Sequence, residues 1–122
     1  MLILLDENLL SKKLNKPFVD AGHLVQNVED MGWRGVKDPE LLTLPQAHPF
    51  DIFITADKNL PYQQNLQCLT LQIVVLDAKS TRPDYLLLLI IHINGLLQSL
   101  VPGSVTLIND AGKVTTFNLV AG

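Results

Sequence analysis

Leu2-Ile3-Leu4-Leu5-Asp6-Glu7-Asn8 sets four apolar side chains in a row directly against three polar ones. A strand with one wet face alternates apolar and polar residues, whereas an unbroken apolar run suits a strand covered on both faces. The segment is therefore expected as an inner strand of a mostly parallel sheet that leaves the sheet at Asp6. The pattern returns where Asp51 to Thr55 runs into Ala56-Asp57-Lys58-Asn59. It returns again where Leu71 to Leu76, with β-branched Ile73-Val74-Val75 at its centre, closes at Asp77.

Helical spacing fills the intervals. Leu10, Leu14, Phe18 and Ala21 recur at three- and four-residue steps, which predicts a helix over 9–21, kinked or broken by Pro17 and stopped by Gly22. His23 to Val28 reads as a short second strand, and Met31 to Lys37, with two glycines around Trp33 and Arg34, as a loop. Asp38-Pro39-Glu40 has the chemistry of a helix start: a capping carboxylate, a proline without an N–H to waste, and an acid at the positive dipole end. Pro45 and Pro49 keep that helix short. Asp84 to Leu100 is expected as a long helix, and Val105 to Ile108 with Val114 to Leu119 as a C-terminal strand pair or hairpin about Asn109-Asp110-Ala111-Gly112. This order of elements is that of a layered α/β domain with right-handed crossovers.

The chain has 122 residues, 48% apolar and 17% charged, enough for one packed core, and residues 1–122 are read as one domain. The net charge of −3 argues against passive coating of nucleic acid, which requires a cationic surface. The lone Cys68 excludes an internal disulfide, and the chain starts in a strand pattern without a cationic leader, so a cytoplasmic setting is expected. The apolar run Leu86 to Leu100 is interrupted by His92, Asn94, Gly95 and Gln98 and falls short of the roughly 20 residues that span a bilayer, so no membrane association is expected.

Ligand sites in open parallel sheets form outside the carboxyl ends of the strands, where strand order reverses. If the first strand lies between the second and the third, Asp6 and Asp57 converge there on strands roughly 5 Å apart. Two carboxylates so placed repel unless one is protonated or a cation sits between them. A hard divalent ion, Mg²⁺ or Mn²⁺, takes oxygen ligands, keeps water and activates it against a phosphodiester.

These residues also resemble a family. Leu2-Ile3-Leu4-Leu5-Asp6-Glu7-Asn8-Leu9, Ala21-Gly22-His23, Gly32-x-x-Gly35 followed by Asp38, and Ile54-Thr55-Ala56-Asp57-Lys58-Asn59 are together similar to the small PIN-like proteins related to VapC toxins, over about two-thirds of the chain. The resemblance implies a PIN-like three-layer α/β/α sandwich and a Mg²⁺-dependent endoribonuclease, acting on RNA as the toxin of a toxin-antitoxin pair, with a cognate antitoxin and a homodimer as partners. Asp6 matches the acid ending the first strand and Asp57 that of the Thr-x-Asp motif. Asp38, or Glu40, matches the acid of the intervening helix, and Glu7 is a further candidate ligand. Asn8, Lys58, Asn59 and Arg34 are candidate substrate contacts. Asn59 departs from the pattern, since related sequences often carry an acid there.

Each residue also has a plainer reading. Asp6 is a fitting N-cap, Asp57 a fitting turn residue, and Asp38 is fully explained by its cap. Isolated Lys58, Arg34 and Arg82 suit a solvated surface, and His23, His48 and His92 lack ligand spacing. Two other function classes stand beside the nuclease. One is a catalytically weak or inactive PIN-like domain acting through a protein partner, which Asn59 favours. The other is a phospho-receiver, disfavoured because the fourth and fifth strands end in Leu76-Asp77 and Ile108-Asn109-Asp110 rather than in a hydroxyl residue and a Lys-Pro.

Overall fold

The computed structural model describes residues 1–6, 9, 12–33, 50–56, 72–80, 82–97 and 104–118. Six strands form one sheet: β1 (Leu2–Leu5), β2 (Leu24–Asn27), β3 (Ile52–Thr55), β4 (Gln72–Asp77), β5 (Ser104–Asn109) and β6 (Val114–Asn118). Their order is β2-β1-β3-β4-β5-β6. All neighbours run parallel except β5 and β6, which form the expected antiparallel pair. β1 lies between β2 and β3, with Leu5 level with both Asn27 and Ile54.

The apolar runs are consumed on two faces. Ile3, Leu5, Ile52, Ile54, Val74, Leu76 and Ile108 share one face with Phe18, Leu86, Ile90 and Ile93 of the helices. Leu4, Phe53, Ile73, Val75 and Val105 face the other way, packed with Val28 and Phe50 and flanked by Met31 and Trp33. Trp33 meets Phe50 edge to face, with ring centroids 6.1 Å apart. The continuous run in β1 thus has the cause expected of it: both faces are dry.

The helix predicted over 9–21 is interrupted. A 3₁₀ turn, Lys12–Leu14, precedes a five-residue helix α1 (Lys16–Asp20). Pro17 is the physical reason: it has no N–H for a continuing ladder, a deficit that is harmless only in a first turn, where Pro17 now sits. Gly22 ends α1 as expected, at φ +89°. Gly22 N–H bonds Val19 O at 3.0 Å and His23 N–H reaches back to Phe18 O at 3.0 Å, satisfying carbonyls the helix end orphans.

The helix expected over 84–100 is shorter: α2 spans Pro83–Asn94. At Gly95, the residue type that most weakens a helix apart from proline, the ladder tightens: Gly95 N–H bonds His92 O at 3.2 Å and Leu96 N–H bonds Ile93 O at 2.8 Å. Asn94 Nδ2 donates to Pro17 O at 3.0 Å, tying α2 to α1. In the β5–β6 hairpin, Asn109 Oδ1 accepts from Ala111 and Lys113 N–H at 3.0 and 2.9 Å, and Gly112 takes φ +79°. The helix expected from Asp38 lies outside the described residues. Among those described, no helix is long and apolar enough to cross a membrane.

Candidate site at the carboxyl edge of the sheet

β1 hands its chain to β2 on one side and has β3 on the other, so the strand order reverses at β1 and opens the crevice in which α/β sheets place ligands. Asp6 sits at its mouth. Its N–H still pairs with Ile54 O at 2.9 Å, which keeps it in register with β3, and its carbonyl accepts from Leu9 N–H at 2.9 Å as the chain turns away.

The Asp6 side chain is only 6% exposed. A carboxylate so deeply placed costs several kcal/mol of lost hydration unless partners replace the water. Thr55, fully buried at the end of β3, supplies one: its Oγ1 donates to Asp6 Oδ2 at 2.6 Å. That length falls in the range of strong hydroxyl-to-carboxylate bonds, roughly 2.5–2.7 Å. Forty-nine residues separate the pair along the chain. A β-branched hydroxyl residue suits both tasks, strand and donor.

The pleat places further polar groups on the same face. The alternation that puts Leu4, Phe53 and Val75 opposite the helices carries on to Asp6, Thr55 and Asp77. Asp77 is level with Asn109 of β5. Beyond them, the Asp110 carboxylate accepts from Lys79 N–H at 3.3 and 3.2 Å through its two oxygens. It also accepts from the Tyr85 hydroxyl, and this bond, aided by desolvation and by the negative charge, raises the Tyr85 pKa above 10.0. On the β2 side, Asn27 and Asp30 close a turn on each other: Asp30 N–H donates to Asn27 Oδ1 at 2.8 Å and Asn27 N–H to Asp30 Oδ2 at 3.0 Å. Asp30 and Asp110 are thereby engaged in holding loops.

Of the residues singled out from sequence, Asp6 is described and occupies the expected place. Glu7, Asn8, Arg34, Asp38, Glu40, Asp57, Lys58 and Asn59 lie outside the described residues. Among the described residues, no three His, Cys, Asp or Glu side chains gather closely enough to hold a metal ion. Thr55 was not singled out as a site residue. Its signal was available: it stands two residues before Asp57, at the end of a strand whose exit echoes that of β1. The chain matches no protein-family model, no curated protein and no solved structure.

Proposed function

We propose that the chain is a metal-dependent endoribonuclease of the PIN-like type, cutting RNA phosphodiester bonds from the crevice at the end of β1, as the toxin of a toxin-antitoxin pair. The observation that supports this reading is the buried Asp6 carboxylate, bonded by Thr55 at the point where strand order reverses. Burying a carboxylate carries a hydration cost that a solvent-exposed strand end would not incur, and a bound cation would offset it.

The donor chemistry of Asp6 fits a hard divalent cation, which takes carboxylate oxygen in preference to nitrogen or sulfur. The proposed ligands are Asp6 and Asp57 with Asp38 or Glu40, and Glu7 as a further candidate. Bound there, Mg²⁺ or Mn²⁺ supplies a Lewis acid that acidifies water and neutralises charge on the phosphate. The hydroxyl of Thr55 fixes the rotation of the Asp6 carboxylate by engaging Oδ2, so the orientation of the acid is set before any ligand arrives. Lys58 and Arg34 are the proposed phosphate contacts, and Asn8 and Asn59 are further candidate substrate contacts. The net charge of −3 makes such local compensation necessary for a polyanionic substrate.

The test is cleavage of mixed RNA by the purified chain with Mg²⁺ or Mn²⁺, beside Asp6→Asn and Asp57→Asn and with metal uptake followed by calorimetry. Metal-dependent cleavage lost in both variants is expected. Equal cleavage by wild type and variants rejects the site. Absence of both cleavage and metal uptake selects the second reading, a PIN-like domain acting through a protein partner, which Asn59 favours.

A further inference from the structure

An open sheet has two edges, and this one treats them differently. On β2, Leu24 N–H bonds Met1 O and Val28 N–H bonds Leu5 O, both at 3.0 Å, so the backbone groups of Val25 and Asn27 point outward. Asn27 spends its own on the turn that follows: its N–H donates to Asp30 Oδ2 at 3.0 Å and its carbonyl accepts from Met31 N–H at 3.3 Å. Just upstream, His23 N–H is taken by Phe18 O. That leaves Val25, and a single residue cannot seat a strand. β6 has no such closure. The bond from Asn109 N–H to Lys113 O, at 3.1 Å, marks a hydrogen-bonded pair. Such pairs alternate with non-bonded ones in an antiparallel ladder, so along the unbroken register Val114, Thr116 and Asn118 turn N–H and C=O away from β5. β6 ends the strand order, and among the described residues nothing bonds these outward groups. The strand carries no proline, bulge or charge, the devices by which sheets blunt an edge.

We propose that β6 is a docking edge for an extended segment of a different protein, which carries an acid at one end and joins the sheet as a further strand. Alternating N–H and C=O groups at strand spacing are matched by another polypeptide backbone and by little else. Val114, Thr115 and Thr116 are exposed, so the β-branched side chains on both faces of the edge are open to cross-strand neighbours of the same kind. Charge identifies the donor of the segment. Lys113, at the entry to β6, is exposed and makes no ion pair among the described residues. A guest with a carboxylate opposite Lys113 meets that charge. A second copy of the chain does not: its β6 holds no acid, and Asp110 lies in the turn, bonded to Lys79 N–H and to the Tyr85 hydroxyl. β3, β4 and β5 stand between β6 and β1, so the guest leaves the crevice at Asp6 open. The proposal does not rest on the nuclease reading.

The probe is the end-capped hexapeptide Thr-Val-Thr-Val-Thr-Glu, which in antiparallel register sets its Glu opposite Lys113. Amide NMR and hydrogen exchange follow its binding to the full chain, at about millimolar peptide. Shifts and slowed exchange are expected at the Val114, Thr116 and Asn118 amides, with Val25 unmoved. Replacing the peptide's Glu by Lys should weaken binding about two- to fivefold, the scale of one exposed ion pair, and Lys113→Glu should invert that preference. Thr116→Pro removes the central outward N–H, which makes no bond to β5, and should abolish binding with far-UV circular dichroism unchanged. Should the proline disturb the hairpin, the charge inversion by Lys113→Glu still decides. No response at the β6 amides, binding that survives Thr116→Pro, or equal affinity for the Glu and Lys peptides would each overturn the proposal. Outward amides already protected in the chain alone, and more so at higher concentration, would assign the edge to a second copy and overturn it likewise.

Discussion

Thr55→Val tests the bond on which the carboxyl edge depends. Valine keeps the β-branched shape and the strand preference of threonine, so neither a cavity nor a propensity change complicates the reading. What is lost is one donor to the Asp6 carboxylate, at 2.6 Å and with the acid 6% exposed. Hydrogen bonds to charged groups contribute about 1.5–3 kcal/mol, and water cannot easily replace this one. A destabilisation of about 2 kcal/mol is expected. With an unfolding entropy of about 2.1 cal/mol/K per residue, a chain of 122 residues has roughly 0.26 kcal/mol/K, so the melting temperature should fall by roughly 8 °C. The assay is urea unfolding at neutral pH on four proteins: wild type, Thr55→Val, Asp6→Asn and the double variant. The cycle isolates the pair, and a coupling of at least about 1 kcal/mol is expected. A coupling near zero, or a Thr55→Val cost below about 0.5 kcal/mol, refutes the claim that Thr55 holds the buried acid.

Phe18→Ala empties a fully buried site between α1 and the sheet and should cost about 3–5 kcal/mol by denaturant unfolding. Gly22→Ala places a Cβ at φ +89° with open space around it, so the cost is backbone strain alone, about 1 kcal/mol in the same assay. Removing the Lys13–Asp84 ion pair by Lys13→Ala should change stability by less than about 1 kcal/mol, since both side chains are mostly exposed. In an ultraviolet pH titration, Tyr85 should ionise above 10.0, and Asp110→Asn should bring its transition down. The sign follows from linkage: because the folded pKa is raised, the contribution of this tyrosine to stability is complete below 10.0 and is lost as pH rises through the folded value.

Leu2 to Leu5 announced its own place. Four apolar residues ending in an acid leave no face for water, and β1 is covered on both sides between β2 and β3. Gly22 likewise stops α1 by the left-handed geometry its lack of a Cβ permits. These features depend on period and on single-residue sterics, which act locally and can be read along the chain. The lengths of the helices were less legible. The interruption was legible in Pro17, but not that only five residues of helix would remain around it, and the apolar run to Leu100 concealed a stop at Gly95.

Asp6 was legible as the end of a strand and a candidate ligand, because a carboxylate at such an exit is conspicuous in any sequence. Its buried bond to Thr55 was not, since that bond exists only once β3 lies beside β1 in the register that sets Leu5 level with Ile54. Strand order and register are settled by competition among many apolar surfaces for the same dry space, a collective outcome that no single stretch encodes. Composition and period therefore determined which segments become strands and helices, and only the assembled sheet decided that residues forty-nine positions apart would share one proton-mediated contact.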